Sequence, residues 1–374
     1  MRAPAATERN SAYGPQNRYG PDWRLVSTAL PYRHETKPMI FDTLVPTFLL
    51  AAMVLDAIVG DPKWIWRRVP HPRVGALHVV NALELALNRP EFSAPLRLSL
   101  GTVMVGGLIA LAIGIGLVVH AIPIRALRIT VEIVLVAILL GQKNLYLEVN
   151  RVFRAFAAGG LAVAQTALRQ ISGRDASHFD DVGVSRVAIE SLATGMADRV
   201  IAPALWYLIL GLPGLIAYVF INAASVAVGH GSDRYRAFGW TAVRLNAAMT
   251  YAPARQTGWL IWMQGYGVAE NLSAQRRIIR RDAPLDPSLN AGWPKAAMAV
   301  RQDVRLGGPR VDTDTAEPHK TQDHAWLNPE GRNPKAPNIQ GALQSYVYAL
   351  YFFTVFIVVP FALGGLALFF SMSG

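Results

Sequence analysis

Gly60-Asp61-Pro62 closes an apolar run that also contains Asp56, and Pro70-His71-Pro72 follows closely. Glycine and proline turn the chain here, leaving a carboxylate and an imidazole, Asp61 and His71, at the edge of the apolar run. Asp56 and Glu132 lie inside or beside apolar runs of their own. A carboxylate is costly in hydrocarbon, so such residues face a bundle interior or a polar cavity and become functional candidates. The plainer alternative is that each sits hydrated at an interface. The chain has no cysteine, which excludes disulfides, thiolate zinc sites and a cysteine nucleophile.

The elements that must hold these groups are greasy. Of the 374 residues, 52% are hydrophobic and only 16% charged, well below the roughly 25% charge of soluble domains. Leu98 to Ile124 carries no charge and is long enough to cross a hydrocarbon core about 30 Å thick. Ala336 to Gly374 is also uncharged, with Tyr346, Tyr348 and Tyr351 at one end and Phe369 and Phe370 at the other, an aromatic-belt pattern. Thr43 to Gly60 and Ile129 to Leu145 are weaker spans because of Asp56 and Glu132. Val200 to Ser232 is interrupted by Gly211-Leu212-Pro213-Gly214, which makes it a hairpin or a broken span. Gln256 to Ala269, with Trp259 and Trp262, is short and reads as an interfacial helix. The expected fold is all-α: a polytopic helical membrane protein of about four to six spans with charged loops. Residues 1–40 lack an apolar run and read as a disordered tail, with Met39 an equally good initiator, and residues 41–374 form the membrane domain.

The net charge of +11 fits basic loops on the cytoplasmic side of a membrane, where they set orientation and meet anionic lipid and phosphorylated substrates. The loops 61–97, 143–199 and 269–335 are expected there, at the cytoplasmic (inner) membrane. Nucleic-acid binding is set aside, because no basic stripe interleaved with stacking aromatics stands out in the sequence.

Further motifs follow in order: Gly173-Arg174-Asp175, Ala188-Ile-Glu190-Ser191-Leu-Ala193, Val200-Ile-Ala-Pro203, Asp233-Arg234-Tyr235-Arg236, and Tyr251-Ala-Pro253-Ala254-Arg255. Arg281-Asp282-Ala283, Asn290-Ala291-Gly292-Trp293-Pro294 and Leu306-Gly307-Gly308-Pro309 complete the series. It resembles the CobD/CbiB family, membrane-bound adenosylcobinamide-phosphate synthases of cobalamin biosynthesis, from about Phe41 to Pro309 with the final span added. The resemblance implies an ATP-dependent amide ligation joining the propionate of adenosylcobyric acid, a corrinoid, to aminopropanol or its phosphate. A carboxylate activated as an acyl phosphate needs Mg²⁺-binding carboxylates and cations over the phosphates. On that basis Asp61, Glu190 and Asp198 are candidate catalytic residues, with Glu190 and Asp198 the candidate Mg²⁺ ligands. His71, Arg174, Asn222, Arg234, Arg255, Arg281, Asn290 and Trp293 are candidate substrate-binding residues, while membrane lipid and other cobalamin-biosynthesis enzymes are the expected partners. A lone loop arginine touches a lipid headgroup more often than a ligand, so each assignment competes with that reading.

The chain departs from the family's pattern systematically. Thr194-Gly195 stands where an acidic and amide pair is usual, and Ala223-Ala224-Ser225-Val226-Ala227 replaces Thr-x-Asp-Ser-Met. Asn246-Ala247 replaces an Asp-Asp pair, Lys295 a glutamate, and Val219 a lysine. Such exchange removes oxygen ligands for a hard cation. Besides the enzyme, two other readings therefore stand: a catalytically degenerate relative acting as scaffold, sensor or corrinoid binder, and a transporter built on Asp56, Glu132 and the broken Val200–Ser232 segment.

Overall fold

The computed structural model describes residues 43–172, 176–229, 232–265, 271–312 and 320–373. The expected tail over residues 1–40 and the candidate Arg174 lie outside them. Fourteen α-helices are described: α1 Val45–Ile58, α2 Lys63–Trp66, α3 Pro72–Leu87, α4 Ala94–His120, α5 Arg125–Leu140, α6 Gln142–Ser172 and α7 Asp181–Met196. Then come α8 Ala202–Val228, α9 Asp233–Arg236, α10 Trp240–Met263, α11 Leu272–Asp282, α12 Gly292–Gln302, α13 Ala336–Phe353 and α14 Val359–Ser373. A π-turn, Ala197–Ile201, joins α7 to α8, and another, Thr354–Val358, joins α13 to α14. Strand is confined, among the described residues, to two short antiparallel ladders: β1 Leu306–Gly307 with β4 Trp326–Leu327, and β2 Arg310–Asp312 with β3 Lys320–Gln322.

Among the described residues three helical runs are long and apolar enough to cross a membrane: Ala94–His120, Asp181–Val228 and Ala336–Ser371. The protein is an all-α membrane protein. α1 is apolar but has only 14 residues, fewer than the ~20 that span a bilayer untilted. The break at Gly211 is a true hairpin. Gly211 adopts φ +63° and ψ −156°, a conformation glycine tolerates, and the arm after it returns along the arm before it. Tyr218 Oη donates to the Asp198 carbonyl at 2.9 Å, tying the two arms. The turn is wedged against α4: a Cβ on Gly116 would lie 2.4 Å from Pro213 Cγ, so α4 and the hairpin approach as closely as a bare glycine allows.

Both carboxylates of the apolar runs join helices. Asp56 is 3% exposed, and its Oδ2 accepts the backbone N–H of Gln142 at 2.7 Å and of Lys143 at 3.4 Å. It thereby caps the orphan donors at the start of α6 from the end of α1. Glu132 Oε1 accepts from Tyr207 Oη at 2.7 Å, linking α5 to the hairpin.

The sequence reading needs three corrections. Ile129–Leu145 is not one span, because α5 stops at Gly141, whose φ of +60° is a left-handed C-cap. Segment 143–199 is not a loop: α6 folds back on itself at Gly159 and Gly160, Arg151 Nη1 donating to Gln170 Oε1 at 3.1 Å across the arms, and α7 follows. Tryptophans 259 and 262 do not start a short separate helix but end the 24-residue α10.

Candidate functional site

The π-turn Ala197–Ile201 sits where the hairpin's first arm meets the polar helices α6 and α3. A π-turn inserts an extra residue into the helical register, a feature frequent at functional sites, and here Asp198 and Arg199 line hollows on either side of it. Two cavities, of about 640 and 360 Å³, share Arg199, Asn222 and Val226 as common wall.

The larger cavity is lined by Asp61, Trp66, Arg67, His71, Arg73, Asn144, Glu148 and Tyr218, among others. Gly60, at φ +64°, turns the chain out of α1 and delivers Asp61. His71 is the N-cap of α3 with Pro72 behind it, and its Nδ1 accepts the Arg73 N–H at 3.1 Å. That places the imidazole proton on Nε2, which donates to Asp61 Oδ1 at 3.3 Å. The Trp66 ring packs 4.6 Å from the imidazole. Arg73 clamps the end of α5 to the π-turn by donating to the carbonyls of Leu139, Leu140 (3.3 Å) and Arg199 (2.9 Å). Burial, reinforced by the nearby Arg199 charge, lowers its pKa to about 10, still a cation at neutral pH. Arg199 itself pairs with Glu148 at 2.7 Å, and the other oxygen of Glu148 accepts from Asn144 at 2.8 Å. Asn222 Nδ2 donates to Asn246 Oδ1 at 3.4 Å.

The smaller cavity holds Glu190, Ser191, Thr194, Asp198, Arg199 and Lys295. Glu190 is 4% exposed, and its Oε1 accepts the Gly307 N–H at 2.6 Å, which ties α7 to β1. Lys295 Nζ donates to Asp286 Oδ2 at 2.8 Å. Two carboxylates and two hydroxyls give an oxygen-only donor set. Such a set fits Mg²⁺, which binds through one or two carboxylates and otherwise through water and substrate phosphates. Among the described residues no group of three or more metal-binding side chains occurs, so a protein-only cage is not present there.

Asp61, His71, Asn222, Glu190 and Asp198 thus come together around the π-turn. The other candidates do not. Arg234 donates twice to Glu84 Oε1, at 3.1 and 2.8 Å, which raises its pKa; it braces α3 instead of lining either cavity. Arg281 pairs with Asp282 at 2.6 Å, and Asp282 accepts the Asn328 N–H at 2.8 Å. Arg255, Asn290 and Trp293 form their own cluster: Arg255 lies over the Tyr251 ring (3.3 Å) and the Trp293 ring (5.0 Å) and donates to Asn290 Oδ1 at 3.1 Å. The Asn290 amide donates to Ala247 O and Thr250 Oγ1, both at 2.7 Å, locking α10 to the start of α12. Sequence reading missed Arg67, Arg73, Asn144, Glu148, Arg199 and Lys295. Only Arg73, Arg199 and Lys295 carried a signal, lying within or beside a quoted motif.

Fold and site together define a helical membrane protein whose hairpin carries a polar, two-chambered site rich in carboxylates and cations. The chain belongs to the CobD/CbiB family: the family model described as "CobD/Cbib protein" matches residues 49–346. It is 40% identical over 267 residues to the cobalamin biosynthesis protein CobD of Rhizobium meliloti (strain 1021), covering 70% of this chain and 82% of the relative. To the protein of that name from Brucella suis biovar 1 (strain 1330) it is 39% identical over 302 residues, 79% of this chain and 90% of the relative. The Rhodobacter capsulatus protein of that name is 31% identical over 303 residues, 81% and 93% respectively. No solved structure matches the chain.

Proposed function

We propose that this chain is a multi-pass cytoplasmic-membrane enzyme of cobalamin biosynthesis that ligates adenosylcobyric acid to aminopropanol or its phosphate, at the cost of ATP. The observation that carries this reading is the pair of cavities meeting at Arg199 and Asn222, one with carboxylates and a lysine, the other with the Asp61–His71 pair. In the acyl-phosphate route, the γ-phosphoryl group of ATP passes to the propionate oxygen with release of ADP, and the amine nitrogen then attacks the acyl carbon with departure of phosphate. Lys295 and Arg199 are placed to hold phosphoryl oxygens. Glu190 and Asp198 would hold Mg²⁺, which when bound neutralises charge on the transferred group. Asp61, oriented by the Nε2–H of His71, is suited to take a proton from the substrate's ammonium group, so that the free amine attacks.

A second reading, a catalytically degenerate relative that serves as scaffold, sensor or corrinoid binder, is favoured by Lys295, which brings a cation into the chamber that would hold the metal. The transporter reading keeps only the broken Val200–Ser232 segment, since Asp56 and Glu132 are both held in helix–helix hydrogen bonds. Complementation separates the first two. In a host lacking its own synthase, the enzyme restores growth on cobyric acid. Growth on cobinamide alone, with the chain present in the membrane, would sink catalysis and leave the degenerate reading.

A further inference from the structure

α10 does not run along the bundle; it crosses it. Near its start Thr241 hydrogen-bonds Thr102 of α4 at 2.7 Å, at its middle Met249 O accepts from Trp206 of the hairpin at 3.0 Å, and just past its end Gln264 donates to Ser345 O of α13 at 2.8 Å. Its outward residues recur at helical spacing: Trp240, Arg244, Tyr251, Arg255 and Trp259. The three aromatic residues are between 45% and 52% exposed. Arginines lie over rings along this flank: Arg244 over Trp240 at 5.9 Å, Arg255 over Tyr251 at 3.3 Å, and Arg276 of α11 over Trp262 at 5.9 Å. α11 adds Arg277 and Arg280, both exposed. The only carboxylate described in α10 and α11 is Asp282, which is buried and paired. Beyond it, Leu285 and Leu289 are 51% and 63% exposed. This stripe of arginines interleaved with rings does not stand out along the sequence and forms only when α10 and α11 fold together; the exposed Leu285 and Leu289 beside it suit a lipid interface, not a soluble anion or a nucleic acid.

We infer that the α10–α11 flank is a docking surface for anionic phospholipid. The rings of α10, with Leu285 and Leu289, enter the interfacial layer, as tryptophan and tyrosine do at bilayer surfaces. Arg244, Arg255 and the α11 arginines take the phosphates, with the guanidinium planes pre-oriented by the rings beneath them. Charge complementarity selects the occupant: a zwitterionic headgroup offers no net charge to this stripe. Its consequence is a preference for one lipid class that owes nothing to the reaction proposed above.

The test uses the full chain in nanodiscs of phosphatidylcholine alone or with phosphatidylglycerol, and native mass spectrometry of the lipids retained after release. An arginine near an anionic surface contributes a factor of roughly five in affinity. Arg276→Gln, Arg277→Gln and Arg280→Gln together should therefore cut the preference for phosphatidylglycerol by on the order of a hundredfold. These side chains are exposed, and an unchanged melting temperature in phosphatidylcholine verifies that the triple variant folds. The wild type should also melt higher with phosphatidylglycerol, and added salt should weaken that gain. Equal retention of both lipids by the wild type, or an undiminished preference in the folded triple variant, would overturn the inference. So would an equal gain in melting temperature from inorganic phosphate in phosphatidylcholine discs, which would reassign the flank to a soluble anion.

Discussion

Replacing Asp56 by alanine tests whether this buried carboxylate is a cap or a carrier. Its Oδ2 serves the Gln142 N–H at 2.7 Å and the Lys143 N–H at 3.4 Å in a buried setting. Asp56→Ala leaves the Gln142 donor buried and unpaired, about 1–3 kcal/mol, and removes a negative charge from the N-terminus of α6, ~0.3–1 kcal/mol. The expected loss is therefore about 2–3 kcal/mol, taking the central values. Asp56→Asn keeps an acceptor and loses only the charge, so it should cost about 1 kcal/mol. Unfolding in mixed micelles, with the two variants run beside the wild type, reads both. Because the capped arm of α6 carries Asn144 and Glu148 to the larger cavity, the alanine variant should also weaken ligand binding there. Equal damage from asparagine and alanine, or a neutral alanine variant, would refute the capping role and restore the carboxylate as a functional charge.

Glu190→Gln retains an oxygen to accept the Gly307 N–H, so stability should fall by only about 1 kcal/mol, the difference between a charged and a neutral acceptor, while product formation drops at least about tenfold from the lost Mg²⁺ ligand; thermal melts and initial rates check the two halves separately. Asn290→Ala strips the bonds to Ala247, Thr250 and Arg255 and should destabilise by about 1–3 kcal/mol in the same unfolding assay. Gly116→Val drives a side chain into Pro213 and should cost about 1–3 kcal/mol or prevent accumulation in the membrane, seen by immunoblot of membrane fractions.

Much of the architecture was legible wherever hydropathy alone decides. The uncharged run from Leu98 coincides with α4, the run from Ala336 with α13 and α14, and Gly211-Leu212-Pro213-Gly214 with the hairpin turn. Segment 143–199 was illegible because its helices are amphipathic: α6 alternates arginines with a buried stripe of Leu145, Val149 and Val152, which a search for greasy runs passes over. At the site, Asp61 and His71 could be read from their shared turn. Glu148 with Arg199, and Lys295 beside Asp198, could not, because each pair is created by the return of a hairpin or the docking of α12, and no local motif encodes that. Arg234, Arg255 and Arg281 stand apart from the two cavities for the converse reason: an arginine in an ordered motif can as well brace a helix as hold a phosphate, and the motif alone does not say which.

The most direct test is in vitro. Purified full-length chain in nanodiscs, given adenosylcobyric acid, aminopropanol or its phosphate, ATP and Mg²⁺, should release ADP and the corrinoid amide in equal amounts, with both abolished in a folded Asp198→Asn variant. Binding of the corrinoid without ADP release or amide under any of these combinations would contradict the ligase and leave a binding protein in its place.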